Sequence, residues 1–285
     1  MTQSFSSLQL PPLSLYVHIP WCVRKCPYCD FNSHRATEVP EAQYVDCLLD
    51  DLDRDLAWAQ GRELQTIFFG GGTPSLFSAD SIGRLLQGIN QRVPIANNAE
   101  ITLEANPGTA EQAKFAGFRA AGVNRLSIGI QSFNSAHLQR LGRIHDGDDA
   151  QHAIGIARRA GFENFNLDLM HGLPDQTEQE ALQDLRTALQ FAPPHLSWYQ
   201  LTIEPNTVFH NAPPVLPEDD TLWAIQQAGE ALLAGHGFDH YEVSAYAQSG
   251  RHGRHNLNYW QFGDYLAIGA GAHGKISLPQ ITLPT

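Results

Sequence analysis

Six times in succession the chain runs a short β-rich apolar stretch into a helical pattern, and that alternation confines it to a few folds. The apolar stretches are Leu13 to Ile19, Gln65 to Phe69, Glu100 to Glu104, Arg125 to Ile130, Asn164 to Met170 and Leu196 to Ile203. Helical periodicity follows over Glu41 to Ala59, Ala79 to Gln91, Ala110 to Ala121, Asp149 to Ala160, Glu178 to Phe191 and Glu218 to His236. Parallel strands need a long crossover, which a helix supplies, so the pattern predicts a parallel sheet with helical crossovers. Runs such as SLYV, TIFF and LSIGI are almost wholly apolar, as strands covered on both faces must be. Ser78 and Asp148 mark helix starts, and Gly122, Gly161 and Gly237 each follow a helix, where left-handed backbone ends it cheaply. Six units fall short of the eight of a closed barrel. The α/β reading is therefore an open or partial (β/α)6 barrel, with a doubly wound sheet as the next choice.

Near residue 240 the pattern changes, which divides the chain into a barrel over 1–240 and a short irregular C-terminal extension over 241–285. In the extension, Tyr241 to Ala247 reads as one more strand, Ser249 to Tyr265 as a loop rich in Gly, His, Asn and aromatics, and the last eleven residues as a strand-like tail. With 18 Lys+Arg against 30 Asp+Glu the net charge is −12, which gives no electrostatic footprint for nucleic acid. The polar Met1 to Pro12 segment lacks a signal-peptide pattern, and no apolar run reaches the roughly 20 residues of a membrane span. A cytoplasmic protein that is not integral to a membrane is expected.

Chemistry concentrates first at Cys22-Val-Arg-Lys-Cys26-Pro-Tyr-Cys29, directly after the first strand. Three thiolates this close can share one metal site, and iron–sulfur clusters are held by such runs. A structural zinc ion wants four ligands, so a zinc module on an unrelated α/β domain would need His18 or His34 to complete it. Cys47, on a helix, reads as an inert buried thiol. Other polar residues fall where strands end, the ligand-binding side of parallel barrels: Gly70-Gly71-Gly72-Thr73-Pro74 after the second strand, Glu104 and Gln131 closing the third and fourth, and Asp168 on the fifth. An acid on an apolar strand is costly unless paired. Arg143 offers a fork for a carboxylate.

The Cys-x-x-x-Cys-x-x-Cys string, with Tyr28 before its last cysteine, resembles the signature of radical S-adenosylmethionine (SAM) proteins. The resemblance implies a partial barrel, a [4Fe-4S] cluster on Cys22, Cys26 and Cys29, and SAM chelating the fourth iron. It further implies SAM contacts at Tyr16, Gly71, Gly72, Thr73, Glu104, Gln131, Arg143 and Asp168. The longer string Tyr16-Val-His-Ile-Pro-Trp-Cys22 is similar to the branch that holds oxygen-independent coproporphyrinogen dehydrogenase and the HemW-type haem chaperones.

His255-Asn-Leu-Asn-Tyr259-Trp260 resembles the motif of the chaperones, with His255 as a haem ligand flanked by Tyr259 and Trp260, and His273 as a second candidate ligand. The expected function is thus a haem chaperone that passes haem to acceptor haemoproteins, with a low-potential electron donor if radical chemistry is retained. The alternatives are the oxidative decarboxylation of coproporphyrinogen III and the structural zinc module. The dehydrogenases have a further cysteine where this chain has Phe31, which speaks against the decarboxylase, and no catalytic residue is assigned. The branch's C-terminal helical domain is not expected in the tail after Gly274.

Overall fold

A computed structural model describes residues 10–108 and 113–278. The expected start of the third helix at Ala110, and most of the N-terminal segment and tail, lie outside the described residues. Six βα units are present: β1 (Leu13–Ile19), α1 (Glu41–Ala59), β2 (Leu64–Gly71), α2 (Ala79–Arg92), β3 (Ile95–Ala105), α3 (Phe115–Ala121), β4 (Arg125–Gln131), α4 (Ser135–Arg140), α5 (Gly147–Arg159), β5 (Phe165–His171), α6 (Glu178–Gln190), β6 (His195–Gln200) and α7 (Asp219–Gly235). β1 to β6 lie side by side in chain order and all parallel, without the reversal of a doubly wound sheet. The sheet keeps two edges, so the barrel is partial.

Local chemistry sets the helix ends. The Ser78 side chain accepts from the Ser81 amide, and Asp146 and Thr177 each form a reciprocal capping box. Asp148 sits in the acidic first turn of α5. Gly122 takes φ 113° at the end of α3, the left-handed conformation open to glycine. The core fills the space between sheet and helices, with Leu15, Phe69, Leu103, Ile128, Leu167 and Trp198 all essentially inaccessible.

The C-terminal segment departs from the expected loop. After β7 (Ala245–Ala247), antiparallel to β6, residues 249–265 contain the helix α8 (Arg254–Trp260) and lead into β8 (Asp264–Ile268). β8 pairs parallel with β1, so this part of the extension completes the sheet's other edge. Asp264, fully buried, accepts from Arg62 Nη1 at 2.7 Å and from Lys275 Nζ at 3.2 Å, and these bonds pin β8 to the chain around it. Among the described residues no helix is long and apolar enough to cross a membrane.

Candidate functional site

Alternate residues of each strand face the inside of the partial barrel, because successive side chains point to opposite faces. Their polar ends, at the C-terminal side of the sheet, surround a cavity of about 480 Å³, large enough for a cofactor-sized ligand. Cys22, Cys26 and Cys29 line it together with Gly71, Gly72, Thr73, Glu104, Gln131, Arg143 and Asp168. The cysteine loop is closed at its base by a two-residue parallel ladder, Trp21–Cys22 on His34–Arg35, and the Cys29 amide donates to Cys26 O at 3.1 Å. Lys25 Nζ reaches back to Phe31 O and Ser33 O, tightening the same turn.

Gly71 and Gly72 are required sterically. A Cβ on Gly72 would lie 2.6 Å from the Trp21 carbonyl oxygen, and Gly71 has φ 113° with the His18 ring against it. Arg143 lines the pocket: its Nη2 donates to Asn106 Oδ1 at 2.5 Å and to Gly129 O at 2.9 Å, while Nη1 lies 3.6 Å from Cys26 Sγ. Asn106 in turn donates to Thr73 Oγ1 at 3.2 Å.

Two half-buried carboxylates, Glu104 and Asp168, face the same cavity. Burial, followed by the charge of Asp168, pushes Glu104 up to about 8. Asp168 is also raised by burial, against hydrogen bonds from Ser127, Asn166 and Ser197. A ligand bearing positive charge would relieve both acids, and its carboxylate would suit Arg143. SAM carries a sulfonium, an ammonium and a carboxylate, so these residues fit it.

The donor set also fits a cluster. All three cysteines are free thiols, and burial raises Cys22 while the hydroxyls of Thr73 and Ser33 oppose that rise. Among the described residues no three Cys, His, Asp or Glu side chains form a group placed to hold a single metal ion. A four-iron cluster takes three thiolates on three irons, the number of cysteines on the cavity wall, whereas a closed structural zinc site wants four ligands. His18 is not available to complete a zinc site, since its ring nitrogens meet Tyr16 Oη at 3.1 Å and Asn32 O at 2.8 Å. His34 Nε2 is likewise within 3.1 Å of Asn32 Oδ1.

Some expected site residues lie elsewhere. Tyr16 is not on the cavity wall; its ring stacks on Phe68 at 6.3 Å between centroids. His255, expected in a loop, is instead buried in α8 toward the N-terminal end of the strands, away from the cavity. Its Nδ1 shares a 2.6 Å hydrogen bond with Thr66 Oγ1, its Nε2 lies 2.9 Å from Tyr259 Oη, and its amide donates to Glu100. Burial, with help from Arg125, pushes the imidazole down to about 3. Tyr259 and Trp260 are exposed at 38% and 52%, outside the SAM cavity. His273 is exposed. Cys47 is exposed rather than buried, because Val45, Leu48 and Leu52 form the inward stripe of α1 and position 47 falls outside it.

Sequence reasoning missed Asn106, Ser127, Ser197 and Tyr199, all on the cavity wall. The signal was present in Arg125-Leu-Ser127-Ile-Gly129-Ile-Gln131, whose polar and small residues recur every second position within an apolar strand.

The radical SAM superfamily model matches residues 16–188, which span the cysteine loop and the first five strands. The chain belongs to the radical SAM superfamily. It is 60% identical over 95% of its length to the heme chaperone HemW of Escherichia coli (strain K12), covering 72% of that protein. It is 38% identical to the heme chaperone HemW of Bacillus subtilis (strain 168), with 92% of this chain and 71% of that one aligned. Among solved structures it resembles the radical SAM enzyme coproporphyrinogen III oxidase (HemN) from Escherichia coli, with a TM-score of 0.81 at 27% identity, covering 94% of this chain and 65% of that one. Radical SAM membership implies a [4Fe-4S] cluster and SAM, which agrees with the chemistry of the cavity.

Proposed function

We propose that the chain is a cytoplasmic haem chaperone, holding a [4Fe-4S] cluster on Cys22, Cys26 and Cys29 and SAM in the adjoining cavity, and delivering haem to acceptor haemoproteins. The observation that carries this reading is 60% identity over 95% of the chain to a protein named heme chaperone HemW. Phe31 supports it, since the further cysteine of the dehydrogenases is replaced there by an exposed ring at the cavity rim. Glu104 and Asp168 would meet the cationic end of SAM and Arg143 its carboxylate. Haem, the cargo, would dock on the aromatic face made by Tyr259 and Trp260 at the far end of the barrel. An axial bond from His255 then requires Tyr259 Oη to release Nε2. A low-potential electron donor is a further partner if the cluster is to be reduced.

The second reading, oxygen-independent oxidation of coproporphyrinogen III, is favoured by the likeness to HemN. One experiment separates them. Anaerobically reconstituted protein is incubated with coproporphyrinogen III, SAM and a reductant, and in parallel titrated with haem. The chaperone reading expects a saturable Soret band and no protoporphyrinogen. Turnover to protoporphyrinogen without haem binding would replace it with the enzyme reading.

A further inference from the structure

A chain of hydrogen bonds runs down the inside of the barrel from the cofactor cavity to the helix that carries His255. It starts at Asp168 on β5, a cavity residue whose Oδ1 accepts from Asn166 Nδ2 at 2.7 Å. Asn166 is buried one inward position lower on the same strand and is not on the cavity wall. Its Oδ1 lies 2.6 Å from His195 Nδ1, and His195 Nε2 lies 2.7 Å from Tyr241 Oη. Tyr241 Oη also accepts from the Gly253 amide at 3.1 Å, and Gly253 is the N-cap of α8.

The direction of every bond follows from elementary donor rules. An amide oxygen only accepts, so His195 Nδ1 must carry the proton. Burial, with the charge of Arg125, holds His195 neutral, so its Nε2 has only a lone pair and Tyr241 must donate to it. The Tyr241 oxygen is then free to accept from Gly253. From Gly253 to Asp168 each group donates toward the carboxylate, and Ser127 Oγ adds a direct bond to Asp168 Oδ2 at 3.0 Å. Chains of aligned hydrogen bonds in a dry interior polarise one another, so loss of a distant member is felt at the end.

We infer that His195 and Tyr241 are positioning residues for the Asp168 carboxylate, and that through them occupancy of the cofactor cavity is coupled to the start of the helix α8. The inference rests on the reading of Asp168 as a SAM-facing residue. Neither His195 nor Tyr241 lies on the cavity wall, and their hydrogen-bonded link to Asp168 runs through Asn166. Coupling between sites is reciprocal: if the relay orients Asp168 for SAM, bound SAM must also steady Tyr241 and the Gly253 amide.

The test uses the cluster-reconstituted chain, with SAM affinity measured by equilibrium dialysis and backbone amide exchange followed over residues 249–256. Tyr241→Phe removes a single hydroxyl and keeps the ring. It is expected to weaken SAM binding about three- to tenfold with iron content unchanged, and to abolish the slowing of exchange that SAM causes in the native chain. His195→Leu should weaken binding at least as much, and the Tyr241→Phe/His195→Leu pair no more than His195→Leu alone, since both break one chain. Tyr246→Phe, a buried tyrosine of neighbouring β7 outside the relay, is expected to leave both readouts at native values. Native SAM affinity in Tyr241→Phe, or a SAM-induced slowing that survives in it, overturns the inference while leaving the cavity reading in place. Native SAM affinity in Asp168→Asn overturns the cavity reading itself and the inference with it.

Discussion

Cys22, Cys26 and Cys29 face one cavity as free thiols, whereas Cys47 stands exposed on a distant helix face. Alanine at any of the first three should therefore abolish the iron–sulfur cluster and Cys47→Ala should spare it, with iron and sulfide content as the readout. Full iron loading in one of the three single variants would contradict their assignment as ligands. Glu104 makes a different prediction. Its carboxyl, ordinarily near 4.5, is held up to about 8 by burial and by Asp168. The cofactor-free folded chain thus keeps a proton that the unfolded chain has lost, so stability falls as pH rises from about 4.5 to about 8 and levels off above. Glu104→Gln should remove that share, on the order of a few kcal/mol, and make the fall of the thermal midpoint with pH shallower in cofactor-free protein, while Asp168 and Asp184, also raised by burial, keep theirs. The same variant should weaken SAM binding, because the neutral amide no longer meets a cation. A native pH slope in Glu104→Gln would show that another group titrates. At this scale the cysteines and strand-end acids are legible in the sequence because their residue types are costly anywhere but a site. Asn166 and His195 are not, since a buried amide or imidazole in a strand looks the same whether it serves the core or a relay.

Among the elements, those with regular apolar periodicity were readable. β1 and α1 have the bounds that the pattern predicts, and most other units agree to within a few residues at each end. The helices α4 and α8 are the exceptions, and α8 has a physical reason. Its two buried residues are His255 and Asn258, so the helix presents a polar face inward and leaves Tyr259 and Trp260 exposed, the reverse of the pattern that marks a helix. Asn258 Nδ2 donates to Asp264 O at 2.9 Å, which joins α8 to β8 by a bond no periodicity reports. β8 itself is five residues long and depends on the buried Asp264 for its attachment. Asp264→Ala strips the partner from Arg62 and Lys275 and leaves Ser277 without its acceptor. It should destabilise the chain by about 3 kcal/mol in urea unfolding, since Arg62 keeps carbonyl acceptors but loses the only carboxylate that offsets its charge in the described contacts. A loss under 0.5 kcal/mol would mean that β8 is held by its ladder with β1 alone.

Across the whole molecule the two candidate sites lie at opposite ends of one sheet. Glu104 and Glu100 are both inward residues of β3, one at the SAM cavity and the other bonded to the His255 amide. Four residues at about 3.3 Å each separate them by about 13 Å. Haem on the α8 face would therefore not touch the cluster, and His255→Ala should lower haem affinity or shift the Soret band while leaving iron content and SAM binding unchanged. Tyr259→Phe, which frees His255 Nε2 and keeps the ring, should strengthen haem binding. The partial barrel was legible because the βα repeat runs through nearly the whole chain; the separation of the two ends was not, since it depends on where a seven-residue helix docks. The most direct test of the haem-chaperone assignment is the rate of haem transfer from the loaded chain to an apo-haemoprotein, followed by the Soret change as acceptor concentration is raised. Handover through a complex predicts a rate that climbs with acceptor and then saturates. A rate that does not change with acceptor concentration, set only by passive release of haem, would contradict the chaperone account.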